Sequence, residues 1–91
     1  MADRVVVKNV SALEAFAGQL GRAKSSLEQV GAQLQSAMAQ VGGQWEDPQK
    51  DRCAQEIEQM RRQIRAFAQT ADQQMAYCKR LAAHLRSLPT S

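Results

Sequence analysis

A chain of 91 residues is long enough for one domain, and its net charge of +3 does not by itself call for a nucleic acid partner. Hydrophobic residues make up 44% of the chain, but many of these are alanine and aromatic residues are only 4% of the chain. Such a composition favours long helices over a sheet. No apolar run of signal-peptide or membrane-spanning type occurs, so we expect a cytoplasmic protein whose export would need another route.

The first predicted helix covers about residues 12–41. Ser11-Ala12-Leu13-Glu14 has the form of a capping box. Apolar residues then recur every seven positions in two rows, the a/d pattern of a helix that packs along one seam. One row is Leu13, Leu20, Leu27, Leu34 and Val41, and the other is Phe16, Ala23, Val30 and Ala37. Gly42 and Gly43 break the pattern, and we expect a left-handed glycine to close the helix.

The second predicted helix covers about residues 48–88. Asp47 is a good N-cap, and Pro48 suits the first helical position. Two seam rows follow, Ile57, Ile64, Ala71, Cys78 and Leu85 in one and Met60, Phe67, Leu81 and Leu88 in the other. Pro89 ends the pattern.

The sequence therefore predicts an all-α fold, a single helical-hairpin domain over residues 1–91. Two long helices joined by the short turn 42–47 fold back as an antiparallel pair. A single hairpin has one seam, and further apolar residues would remain on its flanks. We expect these to be Met38, Ala68, Met75 and Ala82. Such flanks favour dimerisation into a four-helix bundle.

No arrangement of residues suggests catalysis or a cofactor. His84 is the sole histidine, and no paired metal ligands or glycine-rich phosphate loop accompany it. A two-helix chain also offers little concavity for a base and a nucleophile. Cys53 and Cys78 lie roughly 37 Å apart on one helix, too far for a disulfide. We interpret both as small seam residues, and a bridge between two chains stays open as an alternative.

The tryptophan lies in the predicted turn, within Gly42-Gly43-Gln44-Trp45-Glu46-Asp47-Pro48. Two helices, about 90 residues and a tryptophan at the bend resemble the WXG family of small type VII (ESX-type) secretion proteins, over residues 11–88. The resemblance implies a non-enzymatic helical hairpin. It would be exported as a homodimer or heterodimer without a signal peptide, or would act as targeting partner of a larger effector, and would contact the secretion machinery. It implies that Trp45 at the bend binds a component of that machinery. The residues themselves leave a second role open, in which Trp45 folds back over the helix ends as a hydrophobic staple and fixes the hairpin angle, and we expect a half-buried ring that serves both.

Two positions depart from the family pattern. Asp47 stands where the family has glycine, so the bend would close through the Asp-Pro cap, with Gly42 and Gly43 supplying freedom upstream. The family's export signal is often a tyrosine followed four positions later by an acidic residue. Here Tyr77 is followed by Leu81, so Tyr77 is not assigned as a signal residue. Some family members lack the signal and depend on a partner that supplies it.

Two other functional classes remain open from the sequence. One is an unrelated cytosolic coiled-coil adaptor that binds another helical protein. The other is a basic nucleic-acid binder, because residues 61–91 hold six basic residues against one acidic residue, a net charge of +5. No aromatic residues are interleaved with these charges for base stacking, so we predict no nucleic acid partner. Because no apolar stretch reaches 18 residues, we also predict no stable membrane insertion.

Overall fold

The computed structural model describes residues 4–89 and forms a hairpin of two helices. Helix α1 runs Val10–Gly42 and helix α2 runs Pro48–Ser87, with 33 and 40 residues. They pack along their lengths into a rod of 70 × 28 × 15 Å. The all-α hairpin is therefore confirmed. Within residues 4–89, neither helix has the long apolar segment that crossing a bilayer requires.

The start of α1 differs from the predicted capping box. Asn9 is the N-cap, and its side chain accepts a hydrogen bond from the amide of Ala12 at 3.1 Å. Asparagine caps as well as serine, and capping from Asn9 places Val10 within the helix. Ser11 and Glu14 turn instead towards Arg86 of α2, which donates hydrogen bonds to both side chains.

Of the two features predicted for the bend, the structure confirms one. Asp47 caps α2 by accepting a hydrogen bond from the amide of Gln49 at 2.8 Å, and Pro48 is the first helical residue. The prediction that a left-handed glycine closes α1 is wrong. Gly43 has φ −82° and ψ −6°, and no glycine of residues 4–89 has positive φ. A hydrogen bond from the amide of Gln44 to the carbonyl of Val41, at 2.9 Å, turns the chain in the right-handed region.

The buried positions between the helices are occupied by small residues: Ala17, Gly31, Ala68, Ala71, Cys78 and Ala82. Larger side chains flank them half-buried, Leu13 and Leu20 from α1 and Ile57, Met60, Ile64, Phe67, Leu81 and Leu85 from α2. Small residues let the two backbones approach closely, so the larger side chains cover the contact from its edges. The hairpin thus holds a thin core, as its size requires.

The structure pairs the rows of α1 differently from the sequence prediction. Phe16 and Val30, expected in the seam, are 54% and 45% exposed. The other predicted row of α1 packs only through Leu13 and Leu20. Its later members are exposed, as is the last predicted seam residue of α2: Leu27 39%, Leu34 39%, Val41 41% and Leu88 48%. The second contact row is Val10, Ala17, Lys24, Gly31 and Met38, each buried or half-buried. Ala68 and Ala82, expected on the exposed flanks, are buried in the core, and Met38 and Met75 are half-buried. The physical reason is the close approach at Ala17 and Gly31, which a row containing phenylalanine and valine would prevent.

Candidate interaction surface

An ion pair at the open end of the hairpin marks one of its two broad sides. Arg86 donates from Nη2 to Oε1 of Glu14 at 2.6 Å and from Nε to Oε2 at 3.1 Å. This forked geometry suits a guanidinium and a carboxylate. The hydrogen bond from Arg86 lowers the pKa of Glu14, and the same contact raises the pKa of Arg86.

A second ion pair joins the helices nearer the middle. Lys24 Nζ donates to Oδ1 of Asp72 at 2.7 Å, and this hydrogen bond raises the pKa of Lys24. Asp72 and Arg86 are 14 positions apart, close to four full turns, so both project to the same side of α2. We call this side of the hairpin the ion-pair face.

The opposite side is apolar. Residues about half a turn from Glu14 on α1 or from Arg86 on α2 must point away from the ion-pair face. The large exposed residues that meet this condition are Phe16, Leu27, Val30, Leu34 and Val41 of α1 and Tyr77 of α2. We call this set the apolar face. Five of the six residues lie along one side of α1, so they form a row and are not scattered singly over the surface.

The bend presents a second kind of surface. Trp45 is half-buried, and it borders a shallow depression with Glu46, Asp47, Pro48, Lys50 and Asp51. Part of the indole ring is therefore accessible beside acidic groups and one lysine. A tryptophan in this setting can both hold the bend and serve as an aromatic anchor. Gly42 and Gly43 lie on the other side of the bend, and the side chain of Lys50 passes Gly42.

The described residues offer little for catalysis. Residues 4–89 contain no group of three or more histidine, cysteine or acidic side chains that could hold a metal ion. Cys78 is buried, Cys53 is half-buried and both are free thiols. His84 lies exposed in the last turn of α2.

A comparison with protein families decides what this hairpin is. The model of the WXG100 family, described as proteins of 100 residues with WXG, matches residues 8–88. The chain belongs to the WXG100 family. No curated protein and no solved structure matches it. The family is one of small helical, generally non-enzymatic proteins secreted through type VII systems, and its members typically form dimers.

The WXG100 motif here is imperfect in a way that the bend explains. Trp45-Glu46-Asp47 carries aspartate at the position of the motif's glycine. Asp47 has extended backbone angles, φ −168° and ψ 141°, that need no glycine. Its carboxylate supplies the cap that starts α2. This WXG100 chain therefore keeps the tryptophan and closes the turn through a side-chain hydrogen bond.

Several residues of the surface were not found from sequence. The pairs Glu14–Arg86 and Lys24–Asp72 join positions 72 and 48 residues apart, which no local pattern links. Arg65, Asp72, Lys79 and Arg86 do recur every seven positions on α2. That charged row could have indicated the ion-pair face. The sequence marks Tyr77 only through its departure from the export-signal pattern, whereas the structure places it on the apolar face.

Proposed function

We propose that this WXG100 protein is a single-domain pairing module of type VII secretion that binds a second helical hairpin through its apolar face. The observation that carries the proposal is the exposed stripe of Phe16, Leu27, Val30, Leu34 and Val41. The two helices bury mainly small side chains against each other, so these larger ones are only partly covered inside the hairpin. Covering them with a second hairpin completes a four-helix bundle.

Covering the apolar face with a partner is favoured over leaving it in water. Burying a Phe, Leu or Val side chain fully contributes about 1.5–3 kcal/mol relative to leaving it exposed. The five side chains are 39–54% exposed in the hairpin, so covering them would contribute roughly half of that each and offset part of the cost of association. The partner is a second copy, another small helical protein or the helical segment of a larger effector. All three would present the same kind of apolar stripe.

Trp45 has a separate role in this proposal. It contributes to contact with the secretion machinery, because it lies at the bend, away from the middle of the apolar face, and remains partly accessible. The bend would stay available in a bundle formed along the sides of the rod. Pairing and recognition are thus assigned to different surfaces of one hairpin.

Expression of a tagged chain in its native host tests this function. The wild-type protein should co-purify with one helical partner or with itself, and the complex should appear outside the cell. Phe16→Ser/Val30→Ser should lose the partner and export together, whereas Trp45→Ala should keep the partner and lose export. A partner bound equally well by Phe16→Ser/Val30→Ser would contradict the proposed face. A stable complex that never leaves the cell, and whose partner is not exported either, would favour the cytosolic adaptor.

A further inference from the structure

Positions seven residues apart keep one direction along each helix of the hairpin. On α2, the row that faces α1 is buried or half-buried throughout: Ile57, Ile64, Ala71, Cys78 and Leu85. On α1, the facing row is Ala17, Lys24, Gly31 and Met38. A straight helix would drift about 20° over seven residues, so the two helices wind around each other and cancel that drift. The residue just before each facing residue is therefore about 100° away around its helix, close to a right angle with the plane of the hairpin.

These preceding residues form two rows on the side of the apolar face, one from each helix. On α1 the row alternates large and small side chains: Phe16, Ala23, Val30 and Ala37. On α2 its central members are polar and exposed: Gln63, Thr70 and Tyr77. Within residues 4–89, these three polar side chains make no hydrogen bond to another group. A partner that covers them must supply donors and acceptors, because a buried polar group without a hydrogen bond is unfavourable.

The α1 row is complementary to a reversed copy of itself. Reversal about the level of residues 26 and 27 places Phe16 opposite the partner's Ala37 and Val30 opposite the partner's Ala23. Each large side chain then meets a small one, and alternating sizes of this kind allow two rows to pack closely.

The α2 row is complementary to its own reversal as well. Reversal about Thr70 places Gln63 opposite the partner's Tyr77, where the amide and the phenol can hydrogen-bond, and it places the two Thr70 hydroxyls together. The two centres of reversal lie at one level of the rod. Lys24 pairs with Asp72 at 2.7 Å, so the level two residues further along α1 is opposite Thr70. A single two-fold axis therefore satisfies both rows.

We propose that a second copy of this chain covers the apolar face, across a two-fold axis at the level of Thr70. This inference rests on the proposed function and selects one of its three partners. The two hairpins run antiparallel, with like helices stacked on each other. Thr70 lies within about 4 Å of the middle of α2, so the two rods overlap along most of their length.

The charge distribution supports this orientation. Residues 35–60, nearest the bend, hold five acidic residues against two basic residues. Residues 4–20 and 75–89, at the open end, hold five basic residues against one acidic residue. An antiparallel pair brings each acidic bend beside the partner's basic open end, whereas a parallel pair would bring like charges together.

Cysteine cross-linking tests the axis. In a Cys53→Ala/Cys78→Ala background, Thr70→Cys puts two thiols opposite each other in the dimer. Oxidised glutathione should convert them to a disulfide between chains, releasing reduced glutathione. The matched control is Gln63→Cys, in the same row, whose two copies would lie about 21 Å apart. Thr70→Cys should link about tenfold faster, because only its thiols are held together in the dimer. Gln63→Cys mixed with Tyr77→Cys should form the mixed disulfide.

Masses and melts separate this inference from the function on which it rests. Circular dichroism melts check that each variant folds, and light scattering under reducing conditions checks that it is dimeric. Equal linking rates for Thr70→Cys and Gln63→Cys, or no disulfide between Gln63→Cys and Tyr77→Cys, would overturn the axis. A chain that is monomeric alone but binds another hairpin through Phe16 and Val30 would overturn the second copy and keep the proposed function. If Phe16→Ser/Val30→Ser changes no association at all, the proposed function fails and this inference fails with it.

Discussion

Gly31 of α1 lies so close to Ile64 of α2 that a β-carbon on the glycine would be 3.2 Å from Ile64 Cδ1. Arg61 closes the same site from the other side, with atoms at 3.6 and 3.7 Å from that position. A glycine in the middle of a helix costs up to about 1 kcal/mol relative to alanine. Gly31 is therefore best explained by the close helix approach that it permits.

Gly31→Ala and Gly18→Ala make a matched pair within α1. At Gly18 the nearest atoms to an added β-carbon belong to the flexible end of Arg22, at 3.7 Å. Gly18→Ala should therefore raise the free energy of unfolding by about 0.5–1 kcal/mol through helix propensity. Gly31→Ala should show none of this gain. Gly31→Leu should destabilise by about 1–3 kcal/mol, because the added side chain overpacks the contact. Urea unfolding followed by circular dichroism measures all three, and equal gains for both alanine variants would contradict the close approach.

The ion pair between Glu14 and Arg86 predicts a dependence of stability on acid pH. Arg86 lowers the pKa of Glu14 below its ordinary value of 4.5, so the folded state favours the ionised carboxylate. The stabilisation is complete above the unfolded-state pKa and is lost as the pH falls through the lower, folded-state pKa. Wild type should melt at a higher temperature than Glu14→Gln at neutral pH, and the difference should disappear in acid.

Glu56→Gln is the control for this effect, because Glu56 is exposed and makes no ion pair within residues 4–89. It should melt like wild type across the same pH range. The size of the Glu14 effect should also decrease with added salt, since the pair is at the surface. A difference between wild type and Glu14→Gln that persists in strong acid would rule out the ion pair as its cause.

Much of the fold could be predicted from sequence because it depends on local signals. The Asp47-Pro48 cap and the seven-residue rows of α2 locate the second helix and its buried side. The choice between two equally spaced rows on α1 could not be made locally. The large apolar side chains of Phe16 and Val30 led to the prediction that their row packs against α2. The two helices instead approach each other too closely for these side chains, and the row with Ala17 and Gly31 makes the contact. Gly21 and Gly31 were the available signal, since an added β-carbon would lie 3.1 Å from Met75 Sδ at the first and 3.2 Å from Ile64 Cδ1 at the second.

The cysteines should behave as ordinary packing residues. Cys78 is 5% exposed, and Cys78→Ala should cost on the order of 1–2 kcal/mol, less than a buried Leu→Ala change. Cys53→Ala should cost less, because Cys53 is only half-buried. Neither substitution should alter the oligomeric state. A dimer that survives denaturing electrophoresis without reductant, and separates with it, would show a disulfide between chains.

Trp45→Ala should separate stability from recognition. Truncating a fully buried aromatic residue costs about 3–5 kcal/mol, so a half-buried ring should account for roughly half of that. We expect binding to the secretion machinery, or export, to decrease far more than this loss explains. Thermal melts and an export assay on the same variant compare the two effects. If stability and export both stay at wild-type values, the bend is an ordinary turn and Trp45 has no recognition role.

The mass of the purified protein in solution tests the pairing face most directly. Size exclusion with light scattering at micromolar concentration should give about twice the chain mass of 10.1 kDa, or the mass of a complex when a partner is co-expressed. Phe16→Ser/Val30→Ser should give the monomer mass, while Gly18→Ser/Ala32→Ser, on the other side of α1, should stay dimeric. A wild-type monomer of 10.1 kDa that melts cooperatively and gains no partner on co-expression in its host would contradict the account.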